Sequence, residues 1–445
     1  MSDPFIEGVA ERAQDLAKPG AGAAEVPTSI PRLLRPFRTA AYRRLALALI
    51  CASFANGVWV IALAWQVIGL DGGPAQLSLV STAAAAGILI PALAAGVVAD
   101  RIPQKRILVG VATVELIGMA LVALLSILGV IEVWHLAVIA FVTGMGLAFY
   151  YPAYSAWLPA LVPEEDLLAV NGFEGMVRPT IGQAIGPAVA GLVVGAISPG
   201  AAFVVAAVAG ALNLLALLTV PATPLRREMP SSPGQHPLRS AWHDVAEGVR
   251  YMWRTPWLLA TLLYASLLVL LFMGPFEVLL PFLIKDRLGG GPRDHALALA
   301  AFGLGSALGS AAQASFPMPR RYLTYMNLMW GLGTLPLVVM GLANEVWVVI
   351  AASVVLGLTF SGPMVIWGTL LQRRVPPDLL GRVASLDFFV SLSLMPISMA
   401  LAGPVSSWIG VQATLIWAGV LPPFLAVIAI LWAKLPADEI AHPLD

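Results

Sequence analysis

The chain has 445 residues; 59% are apolar, only 11% are Asp, Glu, Lys or Arg, and 25 bases balance 25 acids. A soluble domain is about a quarter charged, so this composition points away from a soluble protein and to a polytopic membrane protein. Zero net charge leaves no footprint for nucleic acid, and the single cysteine, Cys51, excludes an intramolecular disulfide.

Residues 1–35 are charged and then Ala/Gly/Pro-rich, without the apolar core of a signal peptide. They read as a disordered tail. Beyond them come apolar runs long enough for helices crossing a hydrocarbon core of about 30 Å, at 45–69, 76–98, 107–129, 134–158, 167–195, 200–220, 257–284, 295–316, 323–342, 346–370, 383–409 and 411–433. Twelve spans put both termini on one side. Arg32, Arg35, Arg38, Arg43, Arg44, Arg101, Lys105, Arg106, Arg226, Arg227, Arg239, Arg250, Arg254, Arg320, Arg321, Arg373, Arg374 and Arg382 would share that side, whereas only Lys285, Arg287 and Arg293 fall on the other. Positive charge stays inside, so both termini are expected in the cytoplasm.

The expected fold is an all-α membrane protein of two six-helix bundles, 36–220 and 257–434. Residues 221–256 form a polar linker in which Leu238, Trp242, Val245, Val249 and Met252 share one side of an amphipathic, interfacial helix. Residues 435–445 form a second cytoplasmic tail.

The two bundles read as copies. "DGGPAQLSL" echoes "GGGPRDHAL", "GLAFYYP" (146–152) echoes "GLTFSGP" (357–363), and "VPEEDLLAV" (162–170) echoes "VPPDLLGRV" (375–383). Matching elements at matching topological positions imply parallel repeats, an arrangement of transporters with a substrate site between the halves.

Between spans two and three stands "GVVADRIPQKR", 96–106. Gly96, Asp100, Arg101, Lys105 and Arg106 match a loop motif of the major facilitator superfamily, with Pro103 where the family has glycine. The chain resembles that superfamily from residue 35 onward. The resemblance implies that Asp100 contacts the start of span eleven near Arg382, holding the halves together inside while the outside is open. In span five, "GQAIGPAVAG" resembles the G-x-x-x-G-P motif of family exporters. Gly175, Gly182 and Gly186 share a side for close packing, and Pro187 can bend the helix. "VPxDLLGRV", "LAGPV" and "GPFEVLLPFLI" resemble the drug:proton antiporter branch with its siderophore and macrolide exporters. An arginine that many such antiporters carry in span four is absent, Ala140 standing in its place.

Charges inside spans are costly and mostly functional or paired. Here they are Glu115, Glu174, Arg178, Glu277 and Asp387. Glu174 and Arg178, at i,i+4, can pair; Asp387 holds the equivalent place in the second copy, so Arg178 is expected to bridge Glu174 and Asp387 as an inner gate or proton-responsive network. Glu277 lies beside Gly274, Pro275 and Pro281 as an outer hinge or proton carrier, and Glu115 is a further carboxylate for coupling. Asn56, Gln66, Tyr150, Tyr151 and Ser391 are candidate cavity residues, Ser391 within a stripe Asp387, Ser391, Ser398.

His135, His236, His243, His295 and His442 fall at span ends, linkers or the tail. No metal spacing, nucleophile elbow or Walker motif occurs. The expectation is a transporter without cofactor, metal or ATP: a monomer in the bacterial inner membrane, exporting amphipathic small molecules in exchange for protons. A dedicated siderophore or metabolite exporter, and a non-transporting sensor, are the alternatives.

Overall fold

The computed structural model describes residues 32–92, 95, 98, 102–163, 166–223 and 237–444. The expectations placed on residues 1–31, Gly96, Asp100, Arg101 and the linker stretch 224–236 lie outside them. Helices are the only regular structure among the described residues. A short 3-10 helix, Arg32–Arg38, leads into span 1.

The spans are span 1 (Ala40–Gly69), span 2 (described as Pro74–Leu89), span 3 (Gln104–Ile127), span 4 (Val133–Leu161), span 5 (Ala169–Ala196) and span 6 (Pro199–Thr219). After the linker helix Pro237–Arg254 come span 7 (Pro256–Arg287), span 8 (Pro292–Ser315), span 9 (Tyr322–Leu342), span 10 (Val346–Arg374), span 11 (Arg382–Ile409) and span 12 (Val411–Trp432). All but span 2 are, as described, long and apolar enough to cross a bilayer. The face where span 1 begins and span 12 ends is called the terminal face below.

The duplication is visible in the packing. In the first half a side chain on Gly87 would collide with Phe141 of span 4, and one on Gly144 with Ala84 of span 2. In the second, Gly305 meets Val354 and Gly357 meets Phe302. The partners correspond one to one, 218 residues apart in spans 2 and 8 and 213 in spans 4 and 10. Glycine removes the side chain that would keep these backbones apart, and dispersion between close backbones replaces the hydrophobic drive that lipid cannot supply.

Spans 5, 7, 9 and 11 are irregular, span 9 being interrupted between Tyr322–Leu332 and Pro336–Leu342. Span 5 is a π-helix over Arg178–Ile185, between α-helical Leu167–Val177 and Gly186–Ala196; Pro179 and Pro187 withhold two ladder donors. Span 11 breaks at Leu394, just ahead of Pro396, into Pro377–Ser393 and Met395–Ile409. Span 7 is not broken at Gly274–Pro275 as the sequence suggested; it stays α-helical through Phe282 and becomes π-helical over Leu283–Arg287. At Gly274 the hydroxyl of Ser398 enters its ladder instead, accepting from Gly274 N at 2.8 Å and donating to Leu270 O at 2.6 Å. Ser398 therefore belongs to the span 7–span 11 crossing and leaves the predicted stripe.

The C-terminal segment is a docked helix, Leu435–Ala441. Glu439 is 1% exposed and accepts from Leu323 N, Thr324 N and Thr324 Oγ1 at 2.9, 3.1 and 2.7 Å, so it caps span 9 from outside that helix. Arg374 pairs with Asp438 at 2.6 Å and lies over the Trp257 ring. In the linker helix Met252 is buried against the second half, but Val249 is 45% exposed, so the expected apolar side is not wholly covered.

Candidate functional site

The halves meet along a seam whose described hydrogen bonds cluster opposite the terminal face. Ser78 Oγ of span 2 donates to Met399 O, lies 3.2 Å from Ala400 O and accepts from Gly403 N at 3.3 Å. A side chain on Gly403 would collide with Pro74 and Ala75, and one on Gly191 of span 5 with Pro292 and Ala296 of span 8. Gly186-Pro187 and Gly403-Pro404 recur at an offset of 217, so spans 5 and 11 seal against spans 8 and 2 in pseudo-symmetric fashion. Trp65 Nε1 donates to His295 Nδ1 across the same side at 3.3 Å.

Nearer the terminal face each half carries its own polar group. In the first, Arg178 Nη2 is 3.4 Å from Glu174 Oε2, the expected i,i+4 pair. The guanidinium also lies 5.1 and 5.7 Å from the ring centroids of Tyr151 and Tyr154, a cation–π arrangement. Tyr150 stacks on Tyr154 at 5.5 Å and meets Tyr151 edge-on. Tyr150 is within electrostatic reach of Glu115, Glu174 and Arg178. Glu174 Oε1 and the hydroxyls of Tyr42 and Tyr154 are buried without a hydrogen-bond partner among the described residues. A free carboxylate oxygen in such a place calls for a proton, a water or a ligand group.

In the second half Asp387 accepts from Trp367 Nε1 at 3.0 Å and from Ser391 Oγ at 3.2 Å. Arg178 does not bridge Glu174 to Asp387. The physical reason is that each carboxylate is served within its own half, Glu174 by Arg178 and Asp387 by Trp367 and Ser391. Trp367 is a partner of Asp387 that sequence reasoning missed; an indole one helix away leaves no spacing signal. Glu277 is exposed next to Val278 and Leu279, which are buried in the seam, and Asn56 is exposed in mid-span. Polar groups at that depth are costly against lipid, so both face the seam.

Gln66 does not line a cavity. It is buried, and its Oε1 accepts from Ser126 Oγ at 2.6 Å, joining spans 1 and 3 within one half. Tyr151 is 43% exposed, with the Arg178 guanidinium over its ring. Gly182, Gly186 and Pro187 do make the close crossing, and its partner is Gly57 of span 1: a side chain there would collide with Gly182 O and Pro187 Cδ. Gly175 faces open space and takes no part.

Of the loop residues, Lys105 donates to Leu218 O and Val220 O at 2.9 and 2.5 Å, capping the end of span 6, and Arg106 is exposed. Arg382 pairs with Glu247 of the linker helix, a described partner other than the Asp100 that the resemblance implied.

A family model described as transmembrane secretion effector matches residues 32–443. The multidrug efflux pump Tap of Mycolicibacterium fortuitum is 26% identical over 408 residues, covering 89% of this chain and 97% of that protein. Macrolide efflux protein A of Streptococcus pyogenes is 24% identical over 337 residues, covering 75% and 82%. Among solved structures, a POT family transporter in complex with 5-aminolevulinic acid superposes with a TM-score of 0.68 at 16% identity, covering 88% of this chain and 96% of that one. The nucleoside transporter NupG does so with a TM-score of 0.62 at 13% identity, covering 90% and 99%. At such identities these two likenesses concern the fold alone.

Proposed function

The chain belongs to the transmembrane secretion effector family of the major facilitator superfamily, and from that premise we propose that it exports amphipathic drug-like molecules by alternating access, driven by protons. The terminal face is the cytoplasmic one, as its arginines require, and the protein works as a monomer in the bacterial inner membrane. The names of its relatives, a multidrug efflux pump and a macrolide efflux protein, support the substrate class.

One observation carries the reading. Polar and aromatic groups of both halves lie toward the terminal face, Tyr151 and Glu174–Arg178 in one and Asp387–Ser391 in the other, each bonded within its own half, while the described hydrogen bonds between the halves are on the far side. That is what a carrier open to the cytoplasm needs: rings for an apolar body, carboxylates for a proton. The unpaired Glu174 Oε1 is a place a proton would satisfy, with Glu115, Glu277 and Asp387 as further carriers. Asp100 and Arg382 are the proposed inner clasp of the outward-open state.

The test is accumulation of ethidium and erythromycin in inverted vesicles energised by a proton gradient. Accumulation abolished by a protonophore is expected. Accumulation that a protonophore leaves untouched rejects proton coupling, and transport confined to a siderophore rejects the drug class.

A further inference from the structure

His295 is 2% exposed, lies in the first turn of span 8, and is the acceptor of the Trp65 indole N–H. An indole nitrogen can only donate. Nδ1 must therefore be proton-free for this bond to exist, and the ring is neutral with its proton on Nε2. Adding a proton turns both ring nitrogens into donors, sets Nδ1–H against the indole N–H, and leaves a cation buried between the halves. The start of span 8 is also the positive end of a helix dipole, which opposes an imidazolium.

No charged group among the described residues bonds to His295. On its own helix, Asp294 accepts from Gly291 N at 2.8 Å, and Arg293 backs onto Gly191 of span 5. On the elements packed against its helix, Asp71 follows span 1, Glu277 lies on span 7 and Glu345 stands at the outer start of span 10. At the π-helical end of span 7, Lys285 pairs with Asp286 at 3.2 Å and Arg287 binds Gly341 O and Asn344. The outer part of span 5 carries no ionisable residue over Gly186–Ala196.

We propose that His295 is a proton-accepting site on the outer seam, whose protonation from outside releases the Trp65 latch and lets the outer mouth part. At the symmetric seam between spans 2 and 11 the described hydrogen bonds involve no titratable group, since Ser78 there bonds to backbone. Proton uptake from outside and opening to the outside thus become one event, so that acid on the outside shifts the carrier toward its outward-open state. The inference rests on the proton-driven reading above.

The experiment uses the full chain in lipid nanodiscs, with Cys51→Ser and spin labels at Ile197→Cys and Trp408→Cys. Both positions are exposed, at the outer ends of spans 5 and 11, one in each half. Between pH 8 and pH 5 the label distance is expected to shift to a longer population. His295→Asn and His295→Gln keep an acceptor that does not titrate, and both are expected to hold the short population at pH 5. Lengthening in both variants at the same midpoint as the parent, or no pH dependence in the parent, overturns the site. The distances need no transported compound, so failure of the export reading shows only in the vesicle assay and failure of the latch only here.

Discussion

Asp387 receives two hydrogen bonds from uncharged donors of its own half, and Glu174 receives one charged contact and keeps one oxygen free. Asp387→Asn keeps the shape and removes the charge and the titration. It is expected to abolish proton-driven efflux in the vesicle assay while the thermal unfolding midpoint stays unchanged; full efflux would remove Asp387 from the coupling. Gly57→Val is a different kind of change, a β-carbon driven against Gly182 O and Pro187. Overpacking of this kind costs about 1–3 kcal/mol, read as a lower unfolding midpoint in detergent. The Glu174–Arg178 pair was legible because i,i+4 spacing is itself geometry. The Trp367 and Ser126 contacts were not, because each joins residues on different helices at no fixed separation. Gly57 could have been found: its counterpart in the second copy, Gly274, lies 217 residues on and crosses the matching helix.

Among elements, run length fixed the placement of the spans, since hydropathy reports where a chain can sit in hydrocarbon. It could not report how a span is bent. The π segment of span 5 contains Pro179, yet Pro275 leaves span 7 α-helical, with Ser398 of the neighbouring span bonding Gly274 N and Leu270 O just ahead of it. Ser398→Ala removes both bonds and is expected to cost about 1 kcal/mol each, measurable as a lower unfolding midpoint. His295 shows the same limit: a histidine at a span end reads as solvated until the partner half closes over it. The docked C-terminal helix was likewise read as a tail, since seven residues give too little periodicity to reveal a buried face. Glu439→Ala strips the cap from span 9, leaving Leu323 N and Thr324 N buried or half-buried without their acceptor, a loss of about 1–3 kcal/mol. Equal unfolding midpoints for Glu439→Ala and the parent would show that this cap carries no stability.

For the whole molecule, duplication was the most legible property, because repeated motifs survive at constant offsets and the reciprocal glycine contacts of spans 2, 4, 8 and 10 follow them residue for residue. The state of the seam was not legible, since one sequence serves every conformation of the cycle. The irregularities of spans 5 and 11 begin eight and nine residues before Gly186 and Gly403. Beyond those points each helix also packs tightly on the opposite half, at Gln183 and Gly191 against span 8 and at Gly403 against span 2; no such close glycine crossing to the other half precedes them among the described residues. The carrier therefore has two elbows at one depth, and the inner arms can swing shut without unmaking the outer joint. A brace that straightens either elbow should jam the machine with its cargo port open, even though every group that touches cargo or proton is left in place.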